Sequence, residues 1–304
     1  MVPRQRLVVA AAQVRALMRV LITGAAGQLG NDLVRTCTEA GDEVVACGRA
    51  ELDLADRDSV YQAITSVRPE VVLHAGAWTA VDACESDPER AFHVNALGTE
   101  WVADASRRTG AHLLAVSTDY VFDGTKTEPY HEWDRPNPQS VYGRSKWAGE
   151  HAVAVHAPGS CIVRTSWVCG AHGPNMVKTV LGLLDRAELA FVDDQHGCPS
   201  FTADLAPAIR RLAAARVPGV FHVTNQGATT WYGFVREILE AAGHDPGKVR
   251  PIATADLDPP RPAPRPANSV LDSAALRLGG FPLLPHYRAS LDRLVQELLA
   301  SGPR

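Results

Sequence analysis

Apolar residues between positions 19 and 165 occur in short runs, separated by stretches in which they recur every three or four positions. The runs 19–23 (RVLIT), 43–47, 70–74, 112–116 and 161–165 are brief and rich in branched side chains. They predict strands buried on both faces of a sheet. Helical spacing between them predicts helices over 28–40, 88–108 and 140–155, the first with Leu29, Leu33, Val34 and Cys37 on one face. Strand and helix in alternation predict an α/β fold built on a doubly wound parallel sheet. Past residue 168 the pattern loosens. Helices are predicted near 174–187, 202–214, 231–242 and 287–300, with strands at 189–193 and 221–223. The Pro-dense segment 251–266 reads as neither helix nor sheet. Residues 169–304 therefore read mainly as a smaller lobe interleaved with the sheet of 18–168.

Composition narrows the class. An apolar content of 46% and a charged content of 21% over 304 residues suit a globular enzyme. A net charge of −4 with no basic cluster argues against a nucleic-acid surface. No apolar run approaches the roughly 20 residues of a membrane span. Six cysteines without a CxxC pair suit reduced thiols in a cytoplasmic protein, and eleven histidines show no metal spacing. Residues 1–17 precede the first strand. Their apolar core, LVVAAA, is too short for a secretory signal, so they read as a loose extension, with Met18 an alternative start.

Chemistry begins where the first strand runs into Gly24-Ala25-Ala26-Gly27-Gln28-Leu29-Gly30 and then a helix. A strand, a glycine turn and a helix form the context of a dinucleotide-binding loop. Glycines let the backbone approach a pyrophosphate, and the helix start offers free N–H groups. The second strand ends at Gly48-Arg49, where a Rossmann domain meets the adenosine ribose. An arginine there tolerates a 2′-phosphate, which favours NADPH while leaving NADH possible, and a solvated surface arginine is the other reading. Asp53-Leu54 fits either the adenine end or a turn.

The fourth strand, closing at Val116, runs into Ser117-Thr118-Asp119. Ligands of open parallel sheets sit beyond such carboxyl ends. A hydroxyl there is placed to polarise a substrate carbonyl, although a plain Ser/Thr turn also fits. Downstream, Tyr142 and Lys146 lie four residues apart in a predicted helix and so share a face. An ammonium beside a phenol is expected to lower its pKa from about 10 and ready it for proton transfer.

The GxxGxxG loop with Thr118, Tyr142 and Lys146 resembles the extended short-chain dehydrogenases/reductases. The segments STDYVFDG (117–124), VYGRSKWAGE (141–150), RTSWV (164–168), DDQHGCPS (193–200) and RPANS (265–269) resemble, within that superfamily, the dTDP-4-dehydrorhamnose reductase family. The likeness runs from 19 to about 299. Tyr120 stands where the related 4,6-dehydratases carry a glutamate, so the dehydratase base is missing.

The resemblance implies NAD(P)H-dependent reduction of the C4 keto group of a dTDP-6-deoxy-hexulose, with Thr118, Tyr142 and Lys146 catalytic. It implies a cofactor site of Gly24, Gly27, Gln28, Leu29, Gly30, Arg49, Asp53, Leu54, Ala77, Trp78, Thr79 and Val116, with Tyr142 and Lys146. Substrate contacts implied are Val81, Thr118, Asp119, Tyr142, Trp167, Asn175, Arg265 and Asn268. Trp167 fits a core aromatic equally well, and Arg265 and Asn268 fit a Pro-rich surface loop. Some members hold Mg²⁺ with three carboxylates at a dimer interface. Here Asp32 and Asp204 match, but the third position is Arg288, which offers no oxygen. The expectation is therefore no Mg²⁺, a monomer or weak dimer, and Asp32 and Asp204 as a helix-start charge and a surface carboxylate. Two alternatives remain: action on another 4-keto nucleotide sugar as reductase or epimerase, or a non-catalytic NADP-binding regulatory subunit.

Overall fold

The computed structural model describes residues 17–301. Apart from exposed Leu17, the expected N-terminal extension lies outside the described residues.

Five strands follow the apolar runs: β1 (Arg19–Thr23), β2 (Glu43–Cys47), β3 (Val71–His74), β4 (His112–Thr118) and β5 (Cys161–Thr165). Among the described residues the main sheet is six-stranded, in the order Gly219–His222, β5, β4, β3, β1, β2. All neighbours pair in parallel. Successive side chains alternate between the faces, and each face has its own core. Val20, Ile22, Val71 and Leu73 pack against helix α1 (Gln28–Glu39) and the helix Thr202–Ala215. Leu21, Val72 and Leu113 pack instead against α2 (Arg57–Val67), α5 (Gly98–Thr109) and α6 (Val141–His156). Because both faces are covered, β1, β3, β4 and β5 have no fully exposed position, whereas the edge strand β2 exposes Glu43.

A third core lies in the C-terminal half. Phe234, Val235 and Ile238 of the helix Trp231–Ala241 meet Leu291 and Val295 of the helix Tyr287–Ala300. All six cysteines are free and buried. Burial pushes the Cys37, Cys161 and Cys169 thiols up to about 12.

Several expectations change. The helix Arg57–Val67 is an addition; Asp56 caps it by accepting from Asp58 N and Ser59 N. The helix expected over 88–108 is three pieces: α4 (Pro88–Phe92), a π turn (His93–Leu97) and α5. A short helix, α3 (Val81–Ser86), precedes them. The helix near 174–187 is confined to Met176–Leu181, starting at the Asn175 cap and followed by Gly182. The start of the Pro-dense segment 251–266, Pro251 and Ile252, belongs to a strand, Val249–Ile252, parallel to Leu189–Val192. A two-stranded ribbon has an open edge, so the missing proline N–H breaks no ladder bond there.

Candidate active site

Strand β4 runs two residues past its predicted end and delivers Thr118 to the carboxyl edge of the sheet. Helix α6 starts beside that edge. Ser140 caps it, its Oγ accepting from Gly143 N at 3.0 Å, and Glu85 Oε1 accepts from Val141 N at 2.7 Å. These contacts fix the first turn, which carries Tyr142, and so the second, which carries Lys146. The Tyr142 hydroxyl lies close enough to Thr118 for that hydroxyl to favour its ionised form, and Lys146 Nζ donates to Val116 O at 2.9 Å. Phenol, ammonium and hydroxyl thus converge at one sheet edge, all buried.

Burial governs the charges here. It pushes the Tyr142 phenol well above its ordinary value, with the nearby Thr118 hydroxyl acting the other way. It lowers Lys146 to about 8, against the opposing pull of Glu150. The expectation that Lys146 depresses the phenol is therefore corrected for the protein alone: desolvation outweighs it, and the ammonium is turned to a carbonyl. Asp119, beside them, is raised to about 6 by burial. Its Oδ1 accepts from Thr118 Oγ1 at 3.0 Å, whereas Oδ2 has no partner. Tyr120 packs edge-on to Tyr142, ring centroids 5.7 Å apart.

The glycine loop is a cradle with no room for side chains. Gly24 has φ +66°, and a Cβ on Gly30 would lie 2.1 Å from Gly24 O. Gly27 caps α1 without a side-chain hydrogen bond, and the first turn of α1 has no acid. The N–H groups of Gln28 and Leu29 at the helix start suit an anionic pyrophosphate. Gln28 itself is held from the other half of the chain. Its Nε2 donates to Pro174 O at 2.8 Å, and its Oε1 accepts from Asn175 Nδ2 at 2.9 Å.

A cleft of about 180 Å³ continues from the cradle, lined by Gly24, Arg49, Asp53, Leu54, Ala77 and Trp78 among others. Arg49 is exposed and lies 3.5 Å from Asp53. Arg90, which no sequence motif signals, also lines this cleft, its guanidinium 4.5 Å above the Trp78 ring. Thr79 is exposed just beyond, and Val81 packs with Trp78 and Tyr120 around Tyr142. The groove has the chemistry a dinucleotide needs: a side-chain-free cradle suited to phosphates and an aromatic and cationic end suited to adenosine.

The remaining positions are more dispersed. Arg265 lies near enough to Tyr120 to feel its hydroxyl and so borders the site, but it grips Asp82 through both terminal nitrogens and is not a loose surface arginine. Arg261, which the sequence reading missed, carries no hydrogen bond or ion pair among the described residues and feels the charge of Arg265. Asn268 holds the 126–128 loop, its Nδ2 donating to Lys126 O and Glu128 O. Asn175 is spent on Gln28, Gly170 O and the cap of its own helix. Trp167, with φ +44°, stacks on Trp231 at 3.5 Å.

The acids matched to the metal trio are differently placed than expected. Asp32 is buried within α1 and paired with Arg35 at 2.6 Å. Asp204 is no loose surface carboxylate: it accepts from Asn225, Ser290 and Arg293. Arg288 pairs with Glu237 at 2.6 Å. Among the described residues no group of three or more metal-ligating side chains occurs. No described helix is long and apolar enough to cross a membrane.

A dinucleotide cradle beside a Tyr-x-x-x-Lys helix and a strand-end threonine defines an NAD(P)-dependent short-chain dehydrogenase/reductase site. The comparisons narrow the class: residues 18–300 match the RmlD substrate binding domain family, and the chain belongs to it. A dTDP-4-dehydrorhamnose reductase of Streptomyces griseus is 44% identical over 280 residues, 90% of this chain and 91% of that protein. A Streptomyces antibioticus protein described as a probable dTDP-4,6-dihydroxy-2-methyloxan-3-one 4-ketoreductase is 40% identical over 93% of this chain and 97% of its own length. Among solved structures, dTDP-4-dehydrorhamnose reductase from Bacillus anthracis in complex with NADP superposes with a TM-score of 0.89 at 37% identity, covering 92% of this chain and 99% of that one.

Proposed function

We propose that this chain reduces the C4 keto group of dTDP-4-dehydro-6-deoxy-L-mannose (dTDP-4-dehydrorhamnose) to dTDP-L-rhamnose, the last step in making that nucleotide sugar. The carrying observation is the convergence of Thr118, Tyr142 and Lys146 beside a glycine cradle, in a chain 44% identical to a dTDP-4-dehydrorhamnose reductase. Bound NADPH, or less favourably NADH, supplies the hydride to C4. Tyr142 gives its phenolic proton to the oxygen that was the carbonyl. Burial keeps that proton in place at neutral pH, so the acid is loaded before substrate arrives. Thr118 swings its hydroxyl from Asp119 to the same oxygen and steadies the growing charge. Lys146 holds the nicotinamide ribose and faces the phenolate left after transfer, which water then reprotonates.

In this reading Gly24, Gly27, Gln28, Leu29 and Gly30 enclose the pyrophosphate. Arg49, Asp53, Leu54, Ala77, Trp78 and Thr79 border the adenosine side, and Val116 the nicotinamide. Val81, Asp119 and Trp167 border the sugar, and Arg261 with Arg265 meets its diphosphate. Asn175 and Asn268 act one step back, by holding Gln28 and the 126–128 loop. Residues 18–168 bind the dinucleotide and 169–304 chiefly the sugar. The chain works in the cytoplasm as a monomer or weak dimer without a metal bridge, because arginines already neutralise Asp32 and Asp204.

The test is a steady-state assay of purified chain with dTDP-4-dehydro-β-L-rhamnose and each reduced nicotinamide, with the product identified. Cofactor oxidation yielding dTDP-L-rhamnose is expected; no oxidation, or another sugar, overturns the reading. The Streptomyces antibioticus relative favours one second reading, reduction of a different 4-keto sugar nucleotide, which the same assay detects when run on several such sugars.

A further inference from the structure

Beneath the site runs a chain of buried polar groups that the reaction does not use. Thr23 ends β1 and is followed directly by Gly24 of the cradle. His74 ends β3, directly beside Thr23 in the strand register. Thr23 Oγ1 lies 2.7 Å from His74 Nδ1, and His74 Nε2 lies 3.0 Å from Thr99 Oγ1 on α5. Thr99 Oγ1 donates to Asn95 O at 2.7 Å, and Gly76 N donates to Thr23 Oγ1 at 3.2 Å.

These contacts allow one assignment of protons. Thr99 spends its hydrogen on Asn95 O, so it accepts from His74 Nε2–H. Nδ1 is then the acceptor, and Thr23 donates to it while accepting from Gly76 N. His74 is fully buried and stays neutral, its pKa lowered to about 3 by burial and by the Lys146 charge, so the tautomer is set by these hydrogen bonds.

Asn95 extends the chain to the catalytic helix. It sits in the π turn, a geometry that recurs at functional sites. Its Oδ1 accepts from Trp78 N at 2.8 Å, and its Nδ2 donates to Trp78 O at 3.0 Å and to Ser145 Oγ at 3.0 Å. Ser145 Oγ donates to Tyr142 O at 2.8 Å. Every donor along the path is used, and no group is left over. A path of this kind links the glycine cradle, the Trp78 wall and the turn bearing Tyr142.

We propose that His74 is a positioning residue: through Thr99, Asn95 and Ser145 it holds the cofactor cradle and the Tyr142 turn at one fixed offset. The inference rests on the reductase reading for its kinetic readout only, since NADPH affinity can be measured without sugar.

The experiment compares His74→Leu, Thr99→Val and Ser145→Ala, singly and as the pairs His74→Leu/Ser145→Ala and Thr99→Val/Ser145→Ala. Neither His74 nor Thr99 shares a hydrogen bond with Ser145. Each single change should lower kcat on the order of tenfold and raise the isotope effect with 4-deuterated NADPH, because a displaced phenol slows hydride transfer. His74→Leu and Thr99→Val should also weaken NADPH binding in a fluorescence titration. The pairs should lose little more than the worse single change, whereas independent sites would multiply to roughly a hundredfold. Multiplying effects overturn the proposal. So do single variants within twofold of the parent, and a lower Vmax with unchanged isotope effect and NADPH affinity, which marks mere loss of folded protein. If His74→Leu does not fold, the near-isosteric Thr99→Val pair decides. If the parent fails to turn over the keto sugar, the reductase reading fails. The chain is then judged on NADPH affinity alone, with unchanged affinity in both His74→Leu and Thr99→Val counting against it.

Discussion

At Tyr142 the phenol is withdrawn from water, close to the Thr118 hydroxyl and flanked by the Tyr120 ring. Replacing it with Phe removes one hydroxyl and leaves the cradle untouched. For Tyr142→Phe, kcat should fall about 10²-fold or more while NADPH affinity stays within a small factor, as read by turnover and fluorescence titration. Near-normal turnover would show that the proton comes from elsewhere. Lys146 makes a second prediction, with a sign. Its folded pKa, about 8, lies below the unfolded value near 10.5. The unfolded chain therefore binds more protons between those values, and this lysine's contribution to stability rises with pH across that window. Activity that needs the ammonium falls over the same range. Opposite trends in Tm and kcat/KM from pH 8 to 10, both flattened in Lys146→Met, are expected; parallel trends would contradict this. Tyr142 and Lys146 were legible in sequence because one helical turn separates them. Arg90 and His74 were not, since each acts through residues brought to it by the fold, and Arg261 was not, since it lies in a Pro-rich segment with no local signature.

Helix α1 and its loop show how an element encodes a site. The apolar stripe Leu29–Leu33–Cys37 seats the helix on the sheet, and Gly30 brings its first turn against the Gly24 carbonyl. A methyl group at Gly30 has nowhere to go. Gly30→Ala should cost roughly 1–3 kcal/mol in urea unfolding and abolish NADPH binding, because the loop must lift away from the helix start. Retained nicotinamide affinity would mean that the pyrophosphate sits elsewhere. Elements set by apolar periodicity, β1 to β5 and α6, were readable to within a few residues. Helix Arg57–Val67 was not, because only Val60 and Ile64 on it are buried and Asp56 supplies the start. The break at 93–97 escaped for another reason: Asn95 turns inward to pair with the Trp78 backbone, and helical spacing carries no trace of that.

At the scale of the molecule, the two halves are tied at the places where ligand is expected. Gln28 of the cradle is clasped by Pro174 and Asn175, while at the opposite, amino end of the sheet Asp42 before β2 pairs with Arg210 at 2.7 Å. The alternation of strand and helix made the doubly wound sheet predictable. The second half was harder, because its cores form between segments far apart, such as 231–241 and 287–300. The six buried cysteines span both halves, from α1 to residue 198, and three have thiols pushed up to about 12. A thiolate is the reactive species, so the native protein should be almost inert to alkylating reagents. Exposure of these sulfurs requires opening of the layers around them. The rate at which a maleimide consumes each one then clocks the opening of its layer, so mass-resolved labelling of a single wild-type sample would rank the loosening of the dinucleotide half against that of the sugar half.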